Sequence, residues 1–141
     1  MKNKNILLVG GCGFIGHNLA LKLVEKKHNV SIVDSLAINN ILSFTDNSII
    51  NKNLYRSILN NRIKLLNNNK INLFIEDARN YHAISKLYEK INPDIIIHLA
   101  AVSHANKSNK DPHSTFDHSL RTLENTLDFS KDKKIHVIYM S

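Results

Sequence analysis

The sequence predicts an α/β fold built on a doubly wound parallel sheet, and three observations carry that prediction. Short apolar runs recur five times along the 141 residues. Segments with apolar residues at helical spacing separate them. All four glycines fall within Gly10–Gly16, between the first apolar run and the first helical segment. Strand and helix in alternation specify a parallel sheet covered by helices on both faces. The pattern ends after about five strands.

Each element follows from its residues. Asn5 to Gly10 (NILLVG) is a continuous apolar run ending in glycine, as a strand buried on both faces requires. Phe14 to Lys27 carries Ile15, Leu19, Leu23 and Val24 at helical spacing, and its terminal lysines suit the negative end of a helix dipole. Asn29 to Asp34 (NVSIVD) is a second strand, terminated by an acid. Ser35 to Lys70 is rich in Asn and gives one amphipathic helix, over Tyr55 to Leu66. Ile71 to Glu76 is strand three, and Tyr81 to Ile91 a helix that Pro93 stops. Asp94 to Leu99 is strand four. A helix from about Pro112 to Phe129 begins with proline in its first turn, where proline is tolerated. Ile135 to Met140 is strand five.

Length and composition set bounds. The chain is the size of one domain, and 43% apolar residues suffice for a core. No apolar run approaches the roughly 20 residues that cross a bilayer, and the lead Met1 to Asn5 is unlike a signal peptide. A single cysteine, Cys12, fits a reducing cytoplasm. The net charge of +7 comes from scattered lysines with no basic stripe interleaved with aromatics, so it argues against a nucleic-acid surface.

The glycines acquire separate tasks in a strand–turn–helix setting. Gly10 ends the strand in a tight turn, Gly13 leaves room for a phosphate, and Gly16 lets helix and strand approach closely. A pyrophosphate would meet the free N–H groups of the helix N-terminus around Phe14 and Ile15. Asp34 lies 18 residues past Gly16, near the offset of about 20 for a carboxylate that holds ribose hydroxyls. That acid repels a 2′-phosphate, and Ser35 to Ile50 holds no Lys or Arg, which favours NAD over NADP. The fold class is therefore a Rossmann-type sheet with a dinucleotide site.

The segments GGCGFIG, VDS, EDAR, HLAAVSH and IYMS, in this order, resemble the N-terminal part of the extended short-chain dehydrogenase/reductases, the NAD-dependent nucleotide-sugar epimerases and dehydratases. The resemblance implies that Asp77 bonds the adenine amino group with Ala78 beside the ring. It implies that Leu99, Ala100 and Ala101 line the nicotinamide side and that Ser35 belongs to the cofactor contacts. It also turns Ser103, His104 and Ser108 toward cofactor or sugar, because AAVSHANKSNKDP is more similar to dehydratases than to galactose epimerases. Ser119 stands where the family has a cofactor-facing asparagine, and Thr122 where it has glycine. The family's chemistry removes a hydride from a nucleotide-sugar and returns it after epimerisation or dehydration, and its members often dimerise through helices like Pro112 to Phe129.

The family's acid–base pair, Tyr-x-x-x-Lys, lies beyond strand five. Tyr55, Tyr81 and Tyr88 are followed four residues later by Leu59, Ser85 and Asn92, and Tyr139 is too near Ser141. Residues 1–141 are thus expected to be an incomplete NAD-binding domain that does not itself catalyse. The alternative is a free-standing dinucleotide-binding or sensor module. Cys12 is expected to be buried and unreactive, and His17 and His98 to be packed or surface residues rather than metal ligands. Asp117 beside His118 has no serine elbow to make a triad.

Overall fold

The computed structural model describes residues 2–37, 51–102 and 109–140. Its strands are β1 (Asn5–Val9), β2 (Asn29–Asp34), β3 (Asn72–Ile75), β4 (Ile95–His98) and β5 (His136–Tyr139). They form one sheet in the order β3-β2-β1-β4-β5, parallel throughout. The expected fold class is the observed one. Each strand is trimmed by a residue or more from its apolar run except β2, since pairing ends before the run does.

The helices are α1 (Phe14–Glu25), α2 (Lys52–Asn68), α3 (Tyr81–Ile91), α4 (Pro112–Phe116) and α5 (Thr122–Ser130). A π turn, Asp117–Arg121, joins the last two, so the single helix expected over Pro112 to Phe129 carries an interruption. Helix α1 stops two residues short of expectation, because Lys27 adopts a left-handed conformation. Helix α2 is longer than its apolar stripe, extending over polar residues at both ends. Helix α3 is closed at both ends: Asn80 accepts the N–H of Ala83, and Asn92 takes the left-handed cap position just ahead of Pro93.

Alternation along the strands sends side chains to two cores. Ile6, Leu8, Val30, Ile32 and Ile97 face Ala20 of α1 and Leu59 and Leu66 of α2. Leu7, Val9, Val33 and Ile96 face Ile84 and Tyr88 of α3 and Phe129 of α5. Covering both faces explains why the strands read as unbroken apolar runs rather than alternating ones. Ring centroids of Tyr88 and Phe129 lie 5.0 Å apart, edge to face, which locks α3 to α5.

Candidate functional site

Strand order reverses between β1 and β4, and in such sheets the crevice outside the C-terminal strand ends at that point is where ligands sit. The parallel register brings to this one edge the ends of β1 (Gly10), β2 (Asp34), β3 (Asp77, Ala78) and β4 (Leu99, Ala100, Ala101). The residues singled out in the sequence from the four strand ends therefore share one rim.

The turn after β1 is built by close approach. Gly10 has φ +78°, and a Cβ there would lie 2.8 Å from the Ala100 backbone. A Cβ on Gly16 would lie 2.5 Å from the Gly11 carbonyl oxygen. The tight contact of Gly16 is thus with the turn itself, not with the strand as expected. A Cβ on Gly13 would come no nearer than 3.7 Å to another heavy atom. The protein itself does not require glycine there; the room lies on the solvent side.

Helix α1 begins at this turn without a side-chain cap. Its first helical hydrogen bond is from the N–H of His17 to the Gly13 carbonyl, which leaves the preceding N–H groups without an intrahelical partner. Phe14 and Ile15 are exposed beside them. Cys12 is fully buried within the turn. Burial pushes its thiol up to about 12, with the Asp34 carboxylate adding to the rise and Arg62 opposing it.

Asp34 is half-buried and oriented by two backbone donors. The Cys12 N–H donates to Oδ2 and the Leu36 N–H to Oδ1, each at 2.8 Å. Burial raises its pKa and the two N–H groups oppose the rise. A carboxylate offers about four acceptor positions, so acceptor capacity remains for other donors. Ser35 is exposed, and its Oγ accepts the Ala37 N–H at 3.3 Å. Arg62, from α2, reaches the same turn and donates to the Cys12 carbonyl at 3.4 Å. Sequence reasoning missed it, having searched for cations only as far as Ile50.

At the end of β3, Asp77 is gripped by the guanidinium of Arg79, with Nη2 to Oδ2 at 2.6 Å and Nε to both oxygens near 3 Å. The Arg79 side chain holds its carboxyl below the usual range. Ala78 is buried, and its carbonyl accepts from Asn125 Nδ2 at 2.8 Å.

At the end of β4, His98 is fully buried. Its Nε2 lies 3.1 Å from the Ala100 carbonyl and its Nδ1 3.2 Å from Thr126 Oγ1. A carbonyl only accepts, so Nε2 carries the proton and Nδ1 is an acceptor facing the Thr126 hydroxyl, which also reaches the Thr122 carbonyl at 3.1 Å. Burial lowers the imidazole pKa to about 4, so the ring is neutral. His98 is a packed residue, one of the two environments expected. The Ser119 hydroxyl accepts the Val102 N–H at 3.1 Å. Ser103, His104 and Ser108 lie outside the described residues.

Three further features escaped sequence reasoning: the Arg79 network, the buried Asn125, and the π turn. One signal was present. Thr122, Thr126 and Ser130 recur every four residues on the face of α5 that should be apolar, and all three are buried.

Residues 6–141 match the model of the NAD dependent epimerase/dehydratase family, so the chain belongs to that family. It is 28% identical over 119 residues to a bifunctional UDP-glucose 4-epimerase and UDP-xylose 4-epimerase of Pisum sativum, covering 84% of this chain and 30% of that protein. It is 29% identical over 137 residues to protein CapI of Staphylococcus aureus, covering 96% and 37%. Its fold is similar to that of a UDP-glucose-4-epimerase from Stenotrophomonas maltophila solved with bound NAD and formylated UDP-arabinopyranose. That match has a TM-score of 0.73 at 23% identity over 97% of this chain and 36% of the other. The chain thus spans about a third of the length of these relatives. Among the described residues no helix is long and apolar enough to cross a membrane.

Proposed function

We propose that this chain is the NAD-binding part of a nucleotide-sugar epimerase or dehydratase, residues 1–141 forming one incomplete dinucleotide-binding domain. The observation that carries the reading is the glycine turn. Gly10 and Gly16 are required by the protein's own packing, whereas a Cβ on Gly13 would meet only an ordinary contact, 3.7 Å from the Gly10 carbonyl, beside uncapped helix N–H groups. That is space a Cβ would take, beside free helix N–H groups of the kind that bind a pyrophosphate.

The remaining assignments follow from chemistry at the rim. The N–H groups of Phe14 and Ile15 face the anion, and the unused acceptor positions of Asp34 take ribose hydroxyls, with Ser35 beside them. Asp77 and Ala78 hold the adenine. Leu99, Ala100 and Ala101 keep the nicotinamide side narrow and apolar, with Ser103 next along the chain. Ser119 acts through Val102 rather than by direct contact. When bound, NAD supplies a reversible hydride acceptor. The chain's own residues bind and orient it. Residues 1–141 hold no Tyr-x-x-x-Lys pair, so the acid–base step on a nucleotide-sugar is assigned to none of them.

A homodimer and a cytoplasmic location belong to the same reading. Phe116, Leu120, Leu123 and Leu127 line an apolar groove along the π turn and α5, flanked by Arg121, Lys131, Glu124 and Asp128. A second copy laid antiparallel would cover the groove and pair its charges. Sedimentation tests this: a dimer converted to monomer by Leu120→Glu supports it, and a native monomer at all concentrations refutes it.

Calorimetric titration with NAD+ and NADP+ tests cofactor choice. Saturable binding at least about tenfold tighter for NAD+ is expected, a difference of about 1.4 kcal/mol. Equal affinities would overturn the role given to Asp34.

A further inference from the structure

We propose that the π turn Asp117–Arg121 is a positioning bridge between the two ends of the cofactor crevice, with Arg79 and Ser119 as its contacts. The ligand half of this proposal rests on the NAD reading above; the structural half does not.

At one end, the Arg79 guanidinium serves two masters. Its Nε and Nη2 hold Asp77, while Nη1 donates to Asp117 Oδ2 at 2.9 Å. Arg121 holds the other Asp117 oxygen at 2.7 Å, so the acid is fixed from both sides. Asn125, one turn further along, donates to the carbonyls of both Ala78 and Arg79. The segment after β3 is therefore tied to this helix by its backbone and by its side chains.

At the other end, Ser119 Oγ accepts the Val102 N–H, and His98 bonds the Ala100 carbonyl while its ring rests on Thr122 and Thr126. The segment after β4 is thus tied to the same helix. Asp117 and Ser119 are only two residues apart, which places them roughly 200° apart around a helix axis. One turn can therefore reach two loops. The π geometry shifts hydrogen bonding to the fifth residue along, and Thr122 Oγ1 supports it by donating toward the His118 and Ser119 carbonyls at 3.0 and 3.1 Å. Ser119 does not need the longer reach of an asparagine: its hydroxyl already meets a backbone donor.

The consequence is coupling. A change at Asp117, which touches the β3 side, alters the order of Val102, which it does not touch. Ser119, which touches the Val102 N–H directly, bears more strongly on the nicotinamide end than on the adenosine end.

Two measurements on the 141-residue chain test this. The first is amide hydrogen exchange without ligand. Ser119→Ala is expected to speed exchange at Val102 at least tenfold, with Ser119→Thr restoring protection. Asp117→Asn is expected to speed exchange at Val102 as well as at residues 77–79, while Leu7 and Leu8 in β1 keep the native rate. An unchanged Val102 in either variant would overturn the bridge. The second is titration with NAD+ and with ADP-ribose, which lacks the nicotinamide. Ser119→Ala is expected to weaken NAD+ at least fivefold and ADP-ribose less than twofold. Equal loss of both would overturn the proposal while leaving the cofactor reading intact. Failure of the folded native chain to bind either ligand would remove the cofactor reading and the ligand half together.

Discussion

The backbone N–H of Cys12 donates to Asp34 Oδ2 at 2.8 Å, so the acid that ends the second strand also holds the glycine turn that follows the first. The two elements that the proposed function gives to one cofactor thus hold each other. Asp34 accepts the Leu36 N–H as well, and so shapes its own exit from the strand.

Replacing Asp34 by Ala should therefore cost stability as well as binding. It strands a buried donor at Cys12, which costs about 1–3 kcal/mol. Asp34→Asn keeps one acceptor oxygen and should lose less. Urea denaturation of the ligand-free chain checks the order native, Asn, Ala. Equal stability of all three would show that the contact contributes nothing.

Gly16 and Gly13 should behave oppositely. A Cβ at Gly16 meets the Gly11 backbone at 2.5–2.7 Å, and backbone cannot step aside cheaply. Gly16→Ala is expected to destabilise by about 1–3 kcal/mol or more, as overpacking does. Gly13→Ala has ordinary contacts and an extended backbone that alanine adopts readily. Its melting temperature should match the native chain within a few degrees, and a large drop would contradict the geometry.

The buried His98 makes stability depend on pH with a defined sign. Its folded pKa is lowered to about 4 from 6.5, so the unfolded chain binds the extra proton first as pH falls. Stability from this group is full above pH 6.5 and is lost as pH drops toward 4. At about 1.4 kcal/mol per unit, the loss between pH 7 and 5 is about 2 kcal/mol. Asp34, whose pKa is raised by burial, acts in the opposite sense as pH falls. Urea midpoints at the two pH values should differ more in the native chain than in His98→Gln. Equal differences would assign the pH effect elsewhere.

Cys12 should resist modification. With its thiol pushed up to about 12 and fully buried, it is neither ionised nor accessible at pH 8. Iodoacetamide should label the urea-unfolded chain at least a hundredfold faster than the native one. Rapid labelling of the native chain would mean that the turn opens readily.

The fold was legible because a parallel sheet buried on both faces leaves a coarse signature. Runs such as Ile6 to Val9 and Ile95 to Ile97 have no competing reading once helical segments separate them. The glycine turn and Asp34 were legible because the glycine spacing is local and the acid lies only 22 residues from the Cys12 N–H it accepts. Element ends were less so, since Lys27 leaves the helix through a backbone conformation that its side chain does not announce. The π turn was hidden because Pro112 to Phe129 keeps an amphipathic rhythm that reads as unbroken α-helix. The Arg79–Asp117 pair joins residues 38 apart, a contact that only the packing of α3 against α5 creates. His98 was left between two environments in the sequence; the hydroxyls facing it decide the matter.

The most direct test of the central claim is calorimetric titration of the native chain and of Gly13→Ala with NAD+. The account expects saturable, one-to-one binding by the native chain and at least a tenfold loss in a Gly13→Ala variant that remains folded. A folded native chain that binds no NAD+, or a variant that binds it equally well, would contradict the assignment of the glycine turn as a dinucleotide cradle.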